Sequence, residues 1–228
     1  GIGCGKGEEQ APTPTPAATS SPTATATAVP TGETGTLSSL QGDVQVLRVG
    51  SSTWEVASSG MKVSTGWGVK TGNNGYVIIT FFDGSVMELE ADTEISMEEL
   101  SQASGGSTTV RINQVLGNTL NRVENLVDSS STYEVETPAG SAVVRGTVYE
   151  VNVNRYNGLA HTCINNINQG DPQSHYVNLS AAGIAVAVAE GMSACCWEGG
   201  QPGNPFYTDP GDDPLNQGDG GGGGCHGY

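Results

Sequence analysis

The chain has 228 residues, with 8 Lys and Arg against 24 Asp and Glu, and a formal net charge of −16. That balance argues against a nucleic-acid partner, because phosphate recognition needs clustered Lys and Arg, and anionic lipid headgroups would repel the chain. No apolar run approaches the roughly 20 residues that span a bilayer. Charged residues make up only 14% and Gly accounts for 34 positions, a composition common in secreted β proteins and in surface-layer or fibre proteins.

Residues 1–36 have the composition of a tail. Gly1-Ile-Gly-Cys4 is similar to the junction of a bacterial lipoprotein, so Cys4 is a candidate for lipid attachment or for an intermolecular disulfide. Pro12 to Pro30 is a Thr/Pro/Ala/Ser run that lacks the apolar surface to fold alone. It reads as an extended spacer or a glycosylated stalk. Within it, Thr23 to Val29 alternates Thr and Ala, a pattern that can lie as a strand along the exposed sheet edge of a neighbouring subunit.

From residue 37 the pattern is short strands and close turns. Val44 and Val46 alternate, and Trp54 follows in a second short strand. Val77, Ile79 and Phe81 face one way, and Met87 and Leu89 return on the same face. Asp83-Gly84 between them predicts a tight primed hairpin turn. Glu88, Glu90, Asp92, Glu94, Glu98 and Glu99 form a solvated acidic flank without the spacing of a calcium loop. Val110 and Ile112 start a further strand, Gly117-Asn118 reads as its turn, and Leu120, Val123 and Leu126 continue beyond.

The stretch from Glu134 to Val151 reads as strand, turn, strand. Tyr133, Val135 and Thr137 alternate with Glu134 and Glu136; Pro138 and Gly140 mark the bend; Tyr149, Val151 and Val153 form a second half-buried strand. Arg145 beside Gly146, inside Val143-Val144-Arg145-Gly146-Thr147, is expected to bridge strands through carbonyls or a carboxylate such as Glu134.

Thr137-Pro138-Ala139 followed by Val144-Arg145-Gly146-Thr147 and a strand resembles the FecR domain family. Thr71-Gly72, a strand, Asp83-Gly84-Ser85 and a further strand resemble an upstream segment of that family, and Gly42-Asp43-Val44-Gln45-Val46 resembles its first strand. The resemblance covers residues 37–155. It implies an extracytoplasmic, non-enzymatic domain; the best-known members relay a signal from an outer-membrane receptor to a sigma factor, and many others are lipoproteins or secreted proteins.

Residues 156–200 add strands that complete the domain. Ile184 to Ala189 alternates branched residues with Ala, so one face is expected to pack deeply and the other to be shallow; Glu190-Gly191 turns, and Met192 to Trp197 returns. Residues 201–228 form a Gly/Asp-rich tail without Lys or Arg. Of the five Cys, Cys163, Cys195, Cys196 and Cys225 are disulfide candidates. Cys195 and Cys196 point to opposite faces of a strand and so bond elsewhere, with Cys163 and Cys225 as the available partners. The metal alternative, His161 with those four Cys and His226, matches no zinc spacing, so neither metal nor cofactor is assigned.

No phosphate-binding loop, nucleophile elbow, zinc-protease or dinucleotide motif occurs. The expectation is therefore an all-β, FecR-like sandwich or solenoid of short antiparallel strands with extended tails. Its function reads as non-enzymatic, at the cell surface, self-assembling through the N-terminal tail. The alternatives are a FecR-like signalling or sensor domain, and a glycan-binding surface lipoprotein that uses Trp54, Trp67 or Trp197.

Overall fold

The computed structural model describes residue 1 and residues 32–124, 126, 128–167 and 175–208. Cys4, the Thr23–Val29 run, Cys225 and His226 lie outside the described residues. The described residues form strands, turns and bends with no helix.

Two sheets share one long strand, β9 (Thr108–Arg122). On one sheet its C-terminal half is flanked by two four-strand wings. The first holds β7 (Val86–Leu89), β6 (Tyr76–Phe81), β1 (Thr34–Gln41) and β4 (Lys62–Ser64). The second holds β12 (Val148–Tyr156), β13 (Leu159–Asn166), β16 (Met192–Trp197) and β17 (Phe206–Tyr207). On the other sheet the N-terminal half of β9 has the same arrangement. One wing is β8 (Glu94–Gln102), β5 (Gly68–Thr71), β2 (Val44–Leu47) and β3 (Trp54–Val56). The other is β10 (Thr132–Glu136), β11 (Ser141–Val144), β14 (Val177–Ala181) and β15 (Ile184–Val188). Every pairing is antiparallel except β9 with β10. That parallel pair, and the 15 residues of β9, depart from the expectation of short antiparallel strands throughout.

Alternation builds the core. Val77, Ile79 and Phe81 of β6, Met87 and Leu89 of β7, Tyr133 and Val135 of β10, and Tyr149, Val151 and Val153 of β12 all point inward and are buried in one cluster. Each such side chain contributes about 1.5–3 kcal/mol. The sheets meet across it; the rings of Phe81 and Tyr133, from opposite sheets, pack edge to face at 6.1 Å.

Gly117-Asn118 is a bend inside β9 and not the expected turn. Val110, Ile112 and Gln114 point inward, then Thr119 and Asn121 do, so the buried parity flips across Gly117. Gly117 has φ +92°, and a Cβ there would lie 2.4 Å from the Thr93 Cα. At the bend the inward residues are polar and satisfy one another. Tyr133 OH donates to Asn121 Oδ1 (3.0 Å), Asn121 Nδ2 to Thr119 Oγ1 (3.0 Å), and Thr119 Oγ1 to Gln114 Oε1 (2.8 Å). Gln114 Nε2 ends the chain on the carbonyls of Gly117 and Val151.

Four further expectations change. Asp83-Gly84 is part of a longer turn in which Gly84 alone has positive φ; Gly84 N–H donates to Phe81 O, Phe81 N–H to Ser85 O, and the Asp83 carboxylate holds the Ser85 amide. Ile184 to Val188 does not pack deeply along one face: β15 sits at a sheet edge, Ile184 is 44% exposed, and Val188 alone is buried. After Glu190-Gly191 the chain pairs with β13 and not with β15. The first strand starts at Thr34, and β17 lies within 201–228, so both expected tails give residues to the sheets.

Candidate functional site at the end of the shared strand

Arg122 closes β9, and it has the first residue of a strand on either side. Val86, which opens β7, pairs with it from one wing; Val148, which opens β12, pairs with it from the other. Directly before Val86 stands Asp83-Gly84-Ser85, and directly before Val148 stands Arg145-Gly146-Thr147. The two motifs are far apart in sequence, yet they meet at one strand end.

Backbone bonds fix that meeting. Val123 N–H donates to Thr147 O (2.9 Å), and Leu126 N–H donates to Arg145 O (2.8 Å). Glu124 N–H donates to Ser85 Oγ (3.2 Å), whose own proton goes to Asp83 Oδ2 (3.1 Å). Thr147 Oγ1 donates to Asn166 Oδ1 (2.9 Å), and Asn166 Nδ2 reaches the carbonyls of His175 and Val188. Gly146 has φ +140°, which lets the chain enter β12 from this corner. Beside the Arg145–Thr147 segment lies an open cleft of about 280 Å³, lined by Arg122 to Glu124, Gly146 to Val148, and His175.

Arg122 and His175 at its rim each face a carboxylate. Arg122 Nε sits 3.1 Å from Glu88 Oε1, and Tyr76 OH donates to Glu88 Oε2 at 2.5 Å. Burial, and then the bond to Glu88, push the Tyr76 phenol up to about 12. His175 Nδ1 lies 3.0 Å from Glu190 Oε1. Burial raises the Asp83 carboxyl above its ordinary value, against the two Ser85 bonds that lower it. Ser85 is fully buried, with its oxygen committed to Asp83 and the Glu124 amide. A nucleophile needs an accessible oxygen beside a base, and Ser85 does not offer one.

The other residues singled out in the sequence fall elsewhere. Thr137 and Pro138 lie at the opposite end of β11 from Arg145. There Thr137 Oγ1 accepts the Gly140 amide (3.1 Å) and lies 2.8 Å from Thr162 Oγ1, so this turn ties the two sheets together. Arg145 is exposed and donates from Nη2 to the Asp128 carbonyl (2.6 Å). The expected contact to Glu134 is not made: Arg111 holds Glu134 (3.3 Å), and Glu136 lies 3.5 Å from the same guanidinium.

Cys163 and Cys195 face each other across β13 and β16 and form a disulfide. Cys196 points to the other face, its Sγ 3.6 Å from Ala139 O. His161 stands next to the disulfide, and the ligand atoms of His161, Cys163 and Cys195 lie within 4.8 Å of one another. The disulfide takes both sulfurs, and burial lowers the His161 pKa. Trp67 is buried under the Arg48 guanidinium at 4.6 Å, and Lys70 Nζ covers Trp54 at 4.3 Å. Trp197 packs against His161 (4.3 Å) and Tyr156 (5.7 Å).

Sequence reasoning missed Arg122 and the His175–Glu190 pair. The available signal was an Arg at a strand end in a chain with only 8 basic residues; nothing local marked it as the meeting point.

Residues 68–165 match the family model described as FecR protein. Two crystal structures of a protein provisionally assigned as an anti-sigma factor, from Parabacteroides distasonis ATCC 8503, align with TM-scores of 0.49 and 0.48 at 14% identity. Each alignment covers 62% of this chain and 60% of the other, so the chain spans less than two thirds of those structures. No curated protein sequence matches. The family match opens at the first residue of β5 and closes inside β13, and so takes in β9 and both motif segments that converge on it. Over residues 68–165, fewer than half of its positions, the chain is thus similar to FecR proteins.

Proposed function

We propose that this chain is a signal-relay or sensor domain of the FecR type, working outside the cytoplasm by binding another protein at the β9 end. One observation carries the reading. The two motif segments inside the family match close on either side of Arg122, and the Gly146–Thr147 part of one of them lines, with Arg122, Glu124 and His175, a cleft of polar and charged groups. Shallow, charge-lined surfaces suit protein recognition better than small-molecule capture, whose sites are enclosed and mostly apolar. The buried Cys163–Cys195 disulfide fits an oxidising compartment.

The test is a chromosomal Arg122→Glu variant in the source organism, read by transcript profiling beside a strain lacking residues 32–208. Signal relay gives one discrete set of altered transcripts shared by both strains. A surface subunit would change cell-surface architecture while that transcript set stayed at its parental level, and that result would overturn the proposal.

A further inference from the structure

Among the described residues the sandwich has four edge strands: β3, β4, β15 and β17 each pair on one side only. Open edges invite further strands, and proteins blunt them with charge, brevity, proline or bulges. Three edges here are blunted. β3 is three residues with Glu55 at its centre, β4 is three residues opening on Lys62, and β17 is two residues. β15 has no such protection: Ile184-Ala185-Val186-Ala187-Val188 is uncharged, five residues long and unbulged.

The turn before β15 fixes which of its backbone groups face outward. Ala182 and Gly183 both have positive φ (48° and 77°), and Ala181 pairs with Ile184 across them. That is a two-residue primed hairpin, whose closing pair exchanges both hydrogen bonds. Bonded and non-bonded pairs then alternate along an antiparallel ladder. So Ile184, Val186 and Val188 spend their amides and carbonyls on β14, and Ala185 and Ala187 turn theirs to the open edge. Both Ala residues are exposed.

We propose that β15 is an acceptor edge for the Thr23–Val29 segment of a second copy of this chain. The segment is seven residues of alternating Thr and Ala ending in Val, bracketed by Pro22 and Pro30. Proline cannot donate to a ladder, so the brackets set a donor length that matches a five-residue acceptor. The other chain end suits the edge poorly, since residues 209–228 hold Asp, Pro and a glycine run, all depleted in strands. The donor must come from another copy. From Gly32, three residues back to Val29 reach about 10 Å. β1 lies three strands from β9 on one wing, and β15 sits beyond β9 with the opposite wing, a span of several strand spacings of about 4.8 Å each. Donor at one end and acceptor at the other make the contact head to tail. The inference is independent of the signalling role.

Sedimentation velocity on the full chain tests it, with two variants. Ala187→Pro removes an outward N–H without touching the β14 ladder, and Thr27→Pro breaks the donor, which lies outside the folded strands described. The expected result is a weight-average mass that rises with concentration for the parent chain and stays at the monomer value for each variant. A mixture of the two variants should form one-to-one pairs and nothing larger, because one keeps the donor and the other the acceptor. A parent chain that stays monomeric across the concentration range, or association that persists in either variant, or a mixture that fails to pair, overturns the proposal.

Discussion

Gly117→Ala tests the bend of β9 most directly. Two costs combine there. An L-residue held at φ +92° carries about 1–2 kcal/mol of backbone strain. The new Cβ would also sit 2.4 Å from Thr93 Cα and 2.7 Å from Asp92 O, so the Thr93 backbone must move by about 1 Å to restore contact distances near 3.5 Å. That movement loosens Asn118 N–H to Thr93 Oγ1 (3.0 Å) and Thr93 Oγ1 to Asn118 O (3.1 Å), each worth about 1 kcal/mol. The sum is about 3–4 kcal/mol. Gly60→Ala supplies the control. Gly60 also has positive φ (+81°), but nothing lies within 4 Å of its Cβ position, so it should lose only the backbone part, about 1–2 kcal/mol. Urea denaturation of both variants, compared at equal slope, isolates the packing cost as their difference, about 2 kcal/mol or more. Equal losses would refute the reasoning, because an open turn at Gly117-Asn118 would make the two glycines equivalent.

The two buried tyrosines should respond with opposite sign. Tyr149 OH has no hydrogen-bond partner among the described residues, so Tyr149→Phe should leave stability unchanged or raise it by about 1 kcal/mol. Tyr133→Phe strands Asn121 Oδ1 and should cost about 1–3 kcal/mol, both read by thermal melts. Replacing Cys163 and Cys195 together by Ala opens a loop with a sequence separation of 32; the chain-entropy cost is about 3–4 kcal/mol, seen as a lower urea midpoint than that of the oxidised parent. Arg145→Ala removes one bond from an exposed guanidinium and should cost about 1 kcal/mol or less; a large fall in melting temperature would show a buried role. Burial lowers the His161 pKa in the fold, so between the ordinary value of 6.5 and the lowered one the unfolded chain binds more protons. The His161 contribution is thus complete above pH 6.5 and is lost as pH falls through the folded value, and His161→Gln should flatten that part of the stability profile.

The sequence exposed the strands whose two faces differ in polarity. β6, β7, β10 and β12 alternate cleanly, and the motif order Asp83-Gly84-Ser85 then Arg145-Gly146-Thr147 pointed to the family. β9 stayed hidden for a physical reason. Its inward residues after the bend are Thr119 and Asn121, and Gln114 precedes them, so an apolar period cannot find its buried face. Gly117 then shifts the parity, which breaks any alternation that remained. The disulfide was narrowed to opposite faces of β16, but the choice of Cys163 for Cys195 rests on the β13–β16 register, a long-range pairing without a local mark. Arg145 drew attention by its surroundings in sequence, while Arg122, with no motif of its own, occupies the junction.

That junction follows from how the halves are joined. Among the described pairings, no strand of β1–β8 bonds to any strand of β10–β17; both sets reach each other only through β9, in both sheets. The family motifs are therefore the two places where a wing begins its contact with the seam. β7 and β12 both start opposite Arg122, so a displacement of that residue acts on both wings within one strand spacing, about 4.8 Å, and needs no longer path of packed side chains. The polar chain from Tyr133 through Asn121 and Thr119 to Gln114 runs along the inner side of the same strand and ends on Val151 O of β12. A buried network with every link satisfied specifies one geometry more sharply than apolar packing alone. It holds the seam to a fixed bend, and so gives the cleft at its end a single shape.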